Sequence, residues 1–116
     1  MPDVVERYLE TLTGHDWDGL AACLAADFSR TGPYGDTYPS KDGYLAFISA
    51  LMPTLRGYAM EVARVTYAAD GRSAVAELSE TVELRGESTV TPEALVFDLT
   101  DDGLIARVRI YIQQRA

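Results

Sequence analysis

Four long stretches in the second half of this chain alternate apolar and polar residues, and short turns separate them. They run from about Tyr58 to Tyr67, Ser73 to Leu84, Ser88 to Leu99 and Leu104 to Gln113. The connections Asp70-Gly71, Arg85-Gly86 and Asp101-Asp102-Gly103 are hairpin signals. Side chains alternate across a strand, so each stretch presents two distinct faces. The pattern predicts a meander of long antiparallel strands.

Two of these stretches interrupt an apolar stripe with one glutamate. The positions Ala74, Ala76, Leu78, Glu80, Val82 and Leu84 share a face, as do Thr91, Glu93, Leu95 and Phe97. A carboxylate inside an apolar stripe is costly unless it is paired, solvated or used. If Arg85-Gly86 is a two-residue turn, Glu80 faces Thr91 and Leu78 faces Glu93. Glu80 and Glu93 then become diagonal neighbours, with Cβ atoms roughly 7 Å apart. Two carboxyls so close cannot both ionise freely, and one retains a proton. A bulge at Pro92 would shift this register.

The first half reads as helices. Val4, Val5, Tyr8, Leu9 and Leu12 recur at helical spacing. Asp16 suits the N-cap of a second helix carrying Trp17, Leu20, Ala21 and Leu24, closed by Asp27 and Phe28. Phe28 to Thr31 can form a short strand, and Gly32 to Pro39 is loop. Ser40 caps a third helix with Tyr44, Phe47, Ile48 and Leu51 on one face and Pro53 near its end. Three helices followed by a meander make an α+β layout. On the last strands Val108, Ile110 and Ile112 share one face, while Val90, Pro92, Ala94 and Val96 give the third strand a second apolar face. A sheet apolar on both sides needs both covered, and a partner subunit is expected outside.

Composition narrows the class. The chain has 116 residues, which fits one domain over 1–116. Its net charge of −8 comes without a basic run, which argues against nucleic acid. Cys23 is the single cysteine and sits in an apolar run, so it reads as a core thiol. His15 is the single histidine and lies in a turn, so no metal site is expected. Nothing calls for a cofactor. No apolar stretch approaches the about 18 residues of a membrane span. The segment from Met1 to Glu6 lacks the features of a signal peptide, and a cytoplasmic location is the expectation.

Four short motifs occur in a telling order: Asp16-Trp17-Asp18-Gly19-Leu20, Leu24-Ala25-Ala26-Asp27-Phe28, Gly32-Pro33-Tyr34-Gly35, and Leu99-Thr100-Asp101-Asp102-Gly103-Leu104-Ile105. Together they resemble the nuclear transport factor 2-like superfamily, and within it the SnoaL-like group. The resemblance covers almost the whole chain. It implies three N-terminal helices packed in the concave face of a curved, mostly antiparallel sheet, with a conical cavity between them. It also implies homodimers through the outer sheet face. The superfamily holds isomerases, hydrolases, polyketide cyclases and non-catalytic binding modules, so fold does not decide function. The motif around Glu6-Arg7-Tyr8 is similar to ketosteroid isomerase, and Tyr8 matches its oxyanion-binding tyrosine. Gly32 and Leu95 stand where that enzyme carries its acids. Leu78 and Ile110 replace two members of the limonene epoxide hydrolase triad, beside Glu80.

The candidate catalytic set is therefore Glu80, Glu93 and Tyr8. Arg30, Tyr34, Tyr38, Phe47, Leu78, Leu95, Phe97, Val108 and Ile110 are the candidates for binding a small apolar molecule. Alternation with Gly32 aims Arg30 inward, where its fork suits pairing with Glu80 or Glu93. Arg7 and Arg64 are alternative partners. Two readings stand side by side. In one the glutamates do proton chemistry in an acid-containing cavity. In the other they are structural, and Tyr44, Phe47 and Met52 fill the space of a non-catalytic dimeric module. Cavity volume beside Glu80 separates them, since ligand sites span several hundred cubic ångströms.

Overall fold

The computed structural model describes residues 3–113. Helix α1 (Val4–Thr13) buries Val4, Val5, Tyr8, Leu9 and Leu12, the expected stripe. Helix α2 (Trp17–Ala22) is capped by Asp16, whose carboxylate accepts from Gly19 N–H. It is shorter than the apolar pattern suggested. Strand β1 (Leu24–Thr31) begins where a further helical turn was expected. Tertiary pairing accounts for the difference: Leu24 lies beside Ile105 in the sheet, and Ile105 N–H donates to Cys23 O at 2.9 Å. Six residues of helix are too few to outweigh such a ladder.

After the loop, a two-residue strand β2 (Thr37–Tyr38) turns back on β1, with Arg30 opposite Tyr38. Helix α3 (Lys41–Leu51) starts at Ser40, which accepts from Gly43 N–H, and Met52–Thr54 continues it as one 3-10 turn. Four long strands follow: β3 (Ala59–Tyr67), β4 (Ser73–Leu84), β5 (Glu87–Leu99) and β6 (Ile105–Ile112).

The sheet order is β2-β1-β6-β5-β4-β3. All neighbours are antiparallel except β1 and β6, which run parallel. The β4–β5 register is unbroken: Leu84 faces Glu87, Glu80 faces Thr91 and Leu78 faces Glu93. Arg85 and Gly86 both have positive φ, 52° and 80°, as a two-residue hairpin turn of the favoured hand requires. Pro92 causes no bulge there. Its carbonyl accepts from Gln113 N–H at 2.9 Å, so its missing N–H faces the end of β6 and not β4.

The core lies between α1, α3 and the inner sheet face. Tyr8 meets Phe97 edge-on at 5.4 Å, and Phe28 meets Tyr44 at 5.1 Å. Phe28, Phe97, Ile105 and Val108 are fully enclosed, each contributing about 1.5–3 kcal/mol of burial. Cys23 is buried, and Trp17 stacks on His15 at the edge of the helical layer. No helix among the described residues is long and apolar enough to cross a membrane.

Candidate functional site

The inner face of β4 and β5 ends its apolar stripe at Glu80 and Glu93, and both line a cavity of about 140 Å³. Leu12, Ile48, Leu51, Met52, Leu55, Met60, Leu95 and Ile110 form its apolar wall. Tyr8, Tyr44 and Arg30 add polar groups. The two carboxyls are diagonal neighbours across the β4–β5 ladder, so each lies in reach of the other's charge. Burial, then the proximity and charge of Glu80, push the Glu93 carboxyl up to about 9, and the Arg30 cation opposes the rise. Glu93 is thus the proton holder at neutral pH. Tyr58, at the threshold of β3, donates to Glu80 Oε2 from the other side. Burial and the Glu80 charge raise the Tyr58 hydroxyl far above its usual range, so it keeps its proton.

Across the cavity the hydroxyls of Tyr8 and Tyr44 meet at 2.6 Å. Burial raises Tyr8 to about 12 and Tyr44 well above its ordinary value, so both hydroxyls stay protonated. Two O–H groups joined by one hydrogen bond leave one proton over, which is free to donate to an oxygen in the cavity.

Arg30 is buried and faces inward, but its partner is neither glutamate. Its Nη1 donates to Asp36 Oδ2 at 2.9 Å. Its guanidinium also lies 5.3 Å from the Phe47 ring centroid and 5.8 Å from that of Tyr38, two rings stacked at 4.3 Å. The expected Arg30–carboxylate pairing at Glu80 or Glu93 is corrected by this loop contact. Asp36 is six residues away in the chain and reaches the guanidinium when β2 folds back. Of the alternative arginines, Arg64 pairs with Glu77 on the outer face.

The structure brings Glu80, Glu93, Tyr8, Arg30, Leu95 and Ile110 to one cavity. Leu78, Phe97 and Val108 share that face of the sheet but are sealed in the core and do not line the cavity. Tyr38 and Phe47 stand behind Arg30. Tyr34 is 76% exposed and lines an outer groove with Val90 and Thr91, because the Gly32–Asp36 loop closes on itself. Tyr58 and Asp36 are members that sequence reasoning did not place, and Tyr44 was expected only as a side chain filling the space. Tyr58 had a signal: it alternates with Met60 and Val62, whose ladder partners are Glu80 and Leu78. Among the described residues, no three His, Cys, Asp or Glu side chains converge to hold a metal ion.

A cone of sheet around α1 and α3, closed over a cavity with acids in its wall, defines an NTF2-like α+β protein. The sequence model of the SnoaL-like domain matches residues 5–108, so the chain belongs to that family. The search of curated proteins finds no match. Among solved structures, a Catenulispora acidiphila protein with a ketosteroid isomerase-like fold, crystallised with trimethylamine, is 17% identical, with 96% of this chain and 85% of that chain covered and a TM-score of 0.80. An LEH-like epoxide hydrolase of M. tuberculosis is 21% identical over 95% of this chain and 80% of its own, with a TM-score of 0.78. A candidate polyketide cyclase from Silicibacter sp. is 28% identical over 95% and 86%, with a TM-score of 0.80. The first two likenesses testify to the fold alone.

Proposed function

We propose that this chain, as one domain over residues 1–116, binds a compact, largely apolar molecule bearing one polar oxygen and moves a proton on it. The carrying observation is the pair of diagonal carboxyls, Glu80 and Glu93, in the wall of one cavity. A pair holding one proton offers a base and an acid side by side. Glu80 serves as the base and Glu93 as the acid. The spare proton of the Tyr8–Tyr44 pair stabilises negative charge developing on the substrate oxygen. The volume limits the ligand to a single ring or short chain, since an engineered cavity of about 150 Å³ holds benzene. The likeness to a candidate polyketide cyclase supports a carbonyl substrate but supplies no name for it.

The test is deuterium uptake next to the carbonyl of small ketones such as cyclohexanone, followed by NMR. Wild type should exchange faster than buffer, and Glu80→Gln should lose about 10²-fold or more. Exchange at the buffer rate across the panel, or a Glu93 carboxyl with an ordinary titration midpoint, would sink the reading.

A second reading has its own observation. The cavity is smaller than the several hundred cubic ångströms of most ligand sites, and Tyr44 and Met52 fill part of it. This favours a non-catalytic module with a structural acid pair. Native mass spectrometry of protein from its source separates the two, because a retained small molecule supports the ligand site.

We further propose that a second copy of the chain covers the outer sheet face. Val90 and Tyr111 are 58% and 56% exposed there, and an open groove runs past Pro92, Ala94 and Tyr111. Arg109 is already neutralised by Asp98 on the same face, which lowers the cost of covering it.

A further inference from the structure

We propose that Asp36 is a positioning residue for the carboxyl pair: by tying the Arg30 guanidinium to the loop after β1, it keeps that cation from ionising Glu93. The inference rests on the acid–base reading of the cavity.

The tie is built by four neighbouring features. Gly32 N–H donates to Asp36 O at 2.8 Å, closing the loop so that the Asp36 side chain returns over Arg30. Gly32 is needed at that point. A Cβ there would stand 2.5 Å from one Asp36 carboxylate oxygen and 2.8 Å from Arg30 Nη1. The stacked Tyr38 and Phe47 rings give the guanidinium a second contact. Finally, the pair is lopsided: the Arg30 side chain is 11% exposed and that of Asp36 43%. A buried cation in the wall of the cavity is therefore held by an anion at the surface.

The groups facing Glu93 decide the sign. Glu80 approaches it from β4, Tyr58 from the threshold of β3, Tyr8 from α1 and Tyr44 from α3. Arg30, on β1, is the cation that acts on it. Removing the charge of Asp36 has two consequences, and both favour the carboxylate. A negative charge near the site disappears. The guanidinium also loses its partner and is free to turn towards the carboxyl pair. Asp36 is not part of the cavity lining, and its side-chain ion pair among the described residues is with Arg30. Burial raises its carboxyl, but its hydrogen bonds to the backbone and to Arg30 outweigh that and hold it below the usual range, so it stays charged at neutral pH.

The experiment is a carboxyl-resolved 13C NMR titration of glutamate side chains in wild type, Asp36→Asn, Asp36→Glu, Gly32→Ala and Arg30→Met. Asp36→Asn should move the Glu93 midpoint down by about one pH unit or more, the scale of an added opposite charge nearby. Gly32→Ala, which breaks the same tie without removing a charge, should also move it down. Asp36→Glu should restore the wild-type midpoint. Arg30→Met should move it up, and in the Arg30→Met background Asp36→Asn should lower it by clearly less than in wild type, since only the direct loss of negative charge remains. A Glu93 midpoint that stays raised and unmoved in both Asp36→Asn and Gly32→Ala overturns the inference and leaves the acid–base reading intact. An ordinary Glu93 midpoint in wild type overturns both.

Discussion

Glu93 and Glu80 lie diagonal to each other across the β4–β5 ladder, on the inner face of the sheet and in the wall of one cavity. The pair is poised because its two sides differ. Glu80 also accepts from Tyr58, whereas Glu93 is raised by burial and by Glu80 itself. One proton therefore belongs on Glu93, and this asymmetry has consequences for stability as well as chemistry.

The first concerns pH. The folded protein binds the Glu93 proton more tightly than the unfolded chain does. Its contribution is thus full below the ordinary value of 4.5 and is lost as pH rises towards about 9. Glu93→Gln copies the neutral acid and removes this dependence. Between pH 5 and 9, wild type should lose stability relative to the variant, by less than about 1.4 kcal/mol per pH unit because water screens the pair. Urea unfolding at several pH values measures the difference. A constant gap would show that Glu93 ionises normally.

Arg30→Leu should cost about 1–2 kcal/mol, less than the about 3–5 expected for breaking a fully buried pair. The carboxylate it orphans is Asp36, which reaches water and is resolvated cheaply. Adding Glu93→Gln should give no rescue, since the two residues are not bonded to each other. Rescue in a double-mutant cycle would mean that Arg30 pairs with the glutamate in solution.

The tyrosine pair should behave as one unit. Tyr8→Phe and Tyr44→Phe each leave a buried hydroxyl without its protein partner, at about 1–2 kcal/mol. The double variant removes both hydroxyls and should cost clearly less than the sum. Additive losses in denaturant unfolding would argue that each hydroxyl has another partner.

At the β4–β5 turn, Arg85 occupies a left-handed conformation that costs most side chains about 1 kcal/mol. Asparagine tolerates it and is favoured before Gly86. Arg85→Asn should therefore raise stability by about 0.5 kcal/mol or more without moving the carboxyl pair. A loss on unfolding measurements would contradict the turn that sets the Glu80–Glu93 register.

The proposed covering of the outer sheet face by a second copy makes Val96→Glu a direct test. The variant should sediment as a monomer with lowered stability. A wild-type protein that is monomeric at micromolar concentration would refute the dimer.

Periodicity made the four long strands, the hairpin turns and the inward direction of Glu80, Glu93 and Arg30 legible, because strand geometry ties sequence spacing directly to a face. The two caps, Asp16 and Ser40, were legible for a similar local reason. What spacing does not carry is contact between elements. The meeting of Tyr8 with Tyr44 depends on how α1 and α3 cross the sheet, and the start of β1 at Leu24 depends on a parallel neighbour some eighty residues later. Arg30 was aimed correctly by alternation. Its choice of Asp36 over two glutamates was decided only when Gly32 let the loop close back upon it, since an ion pair forms with whichever charge the tertiary fold brings within reach.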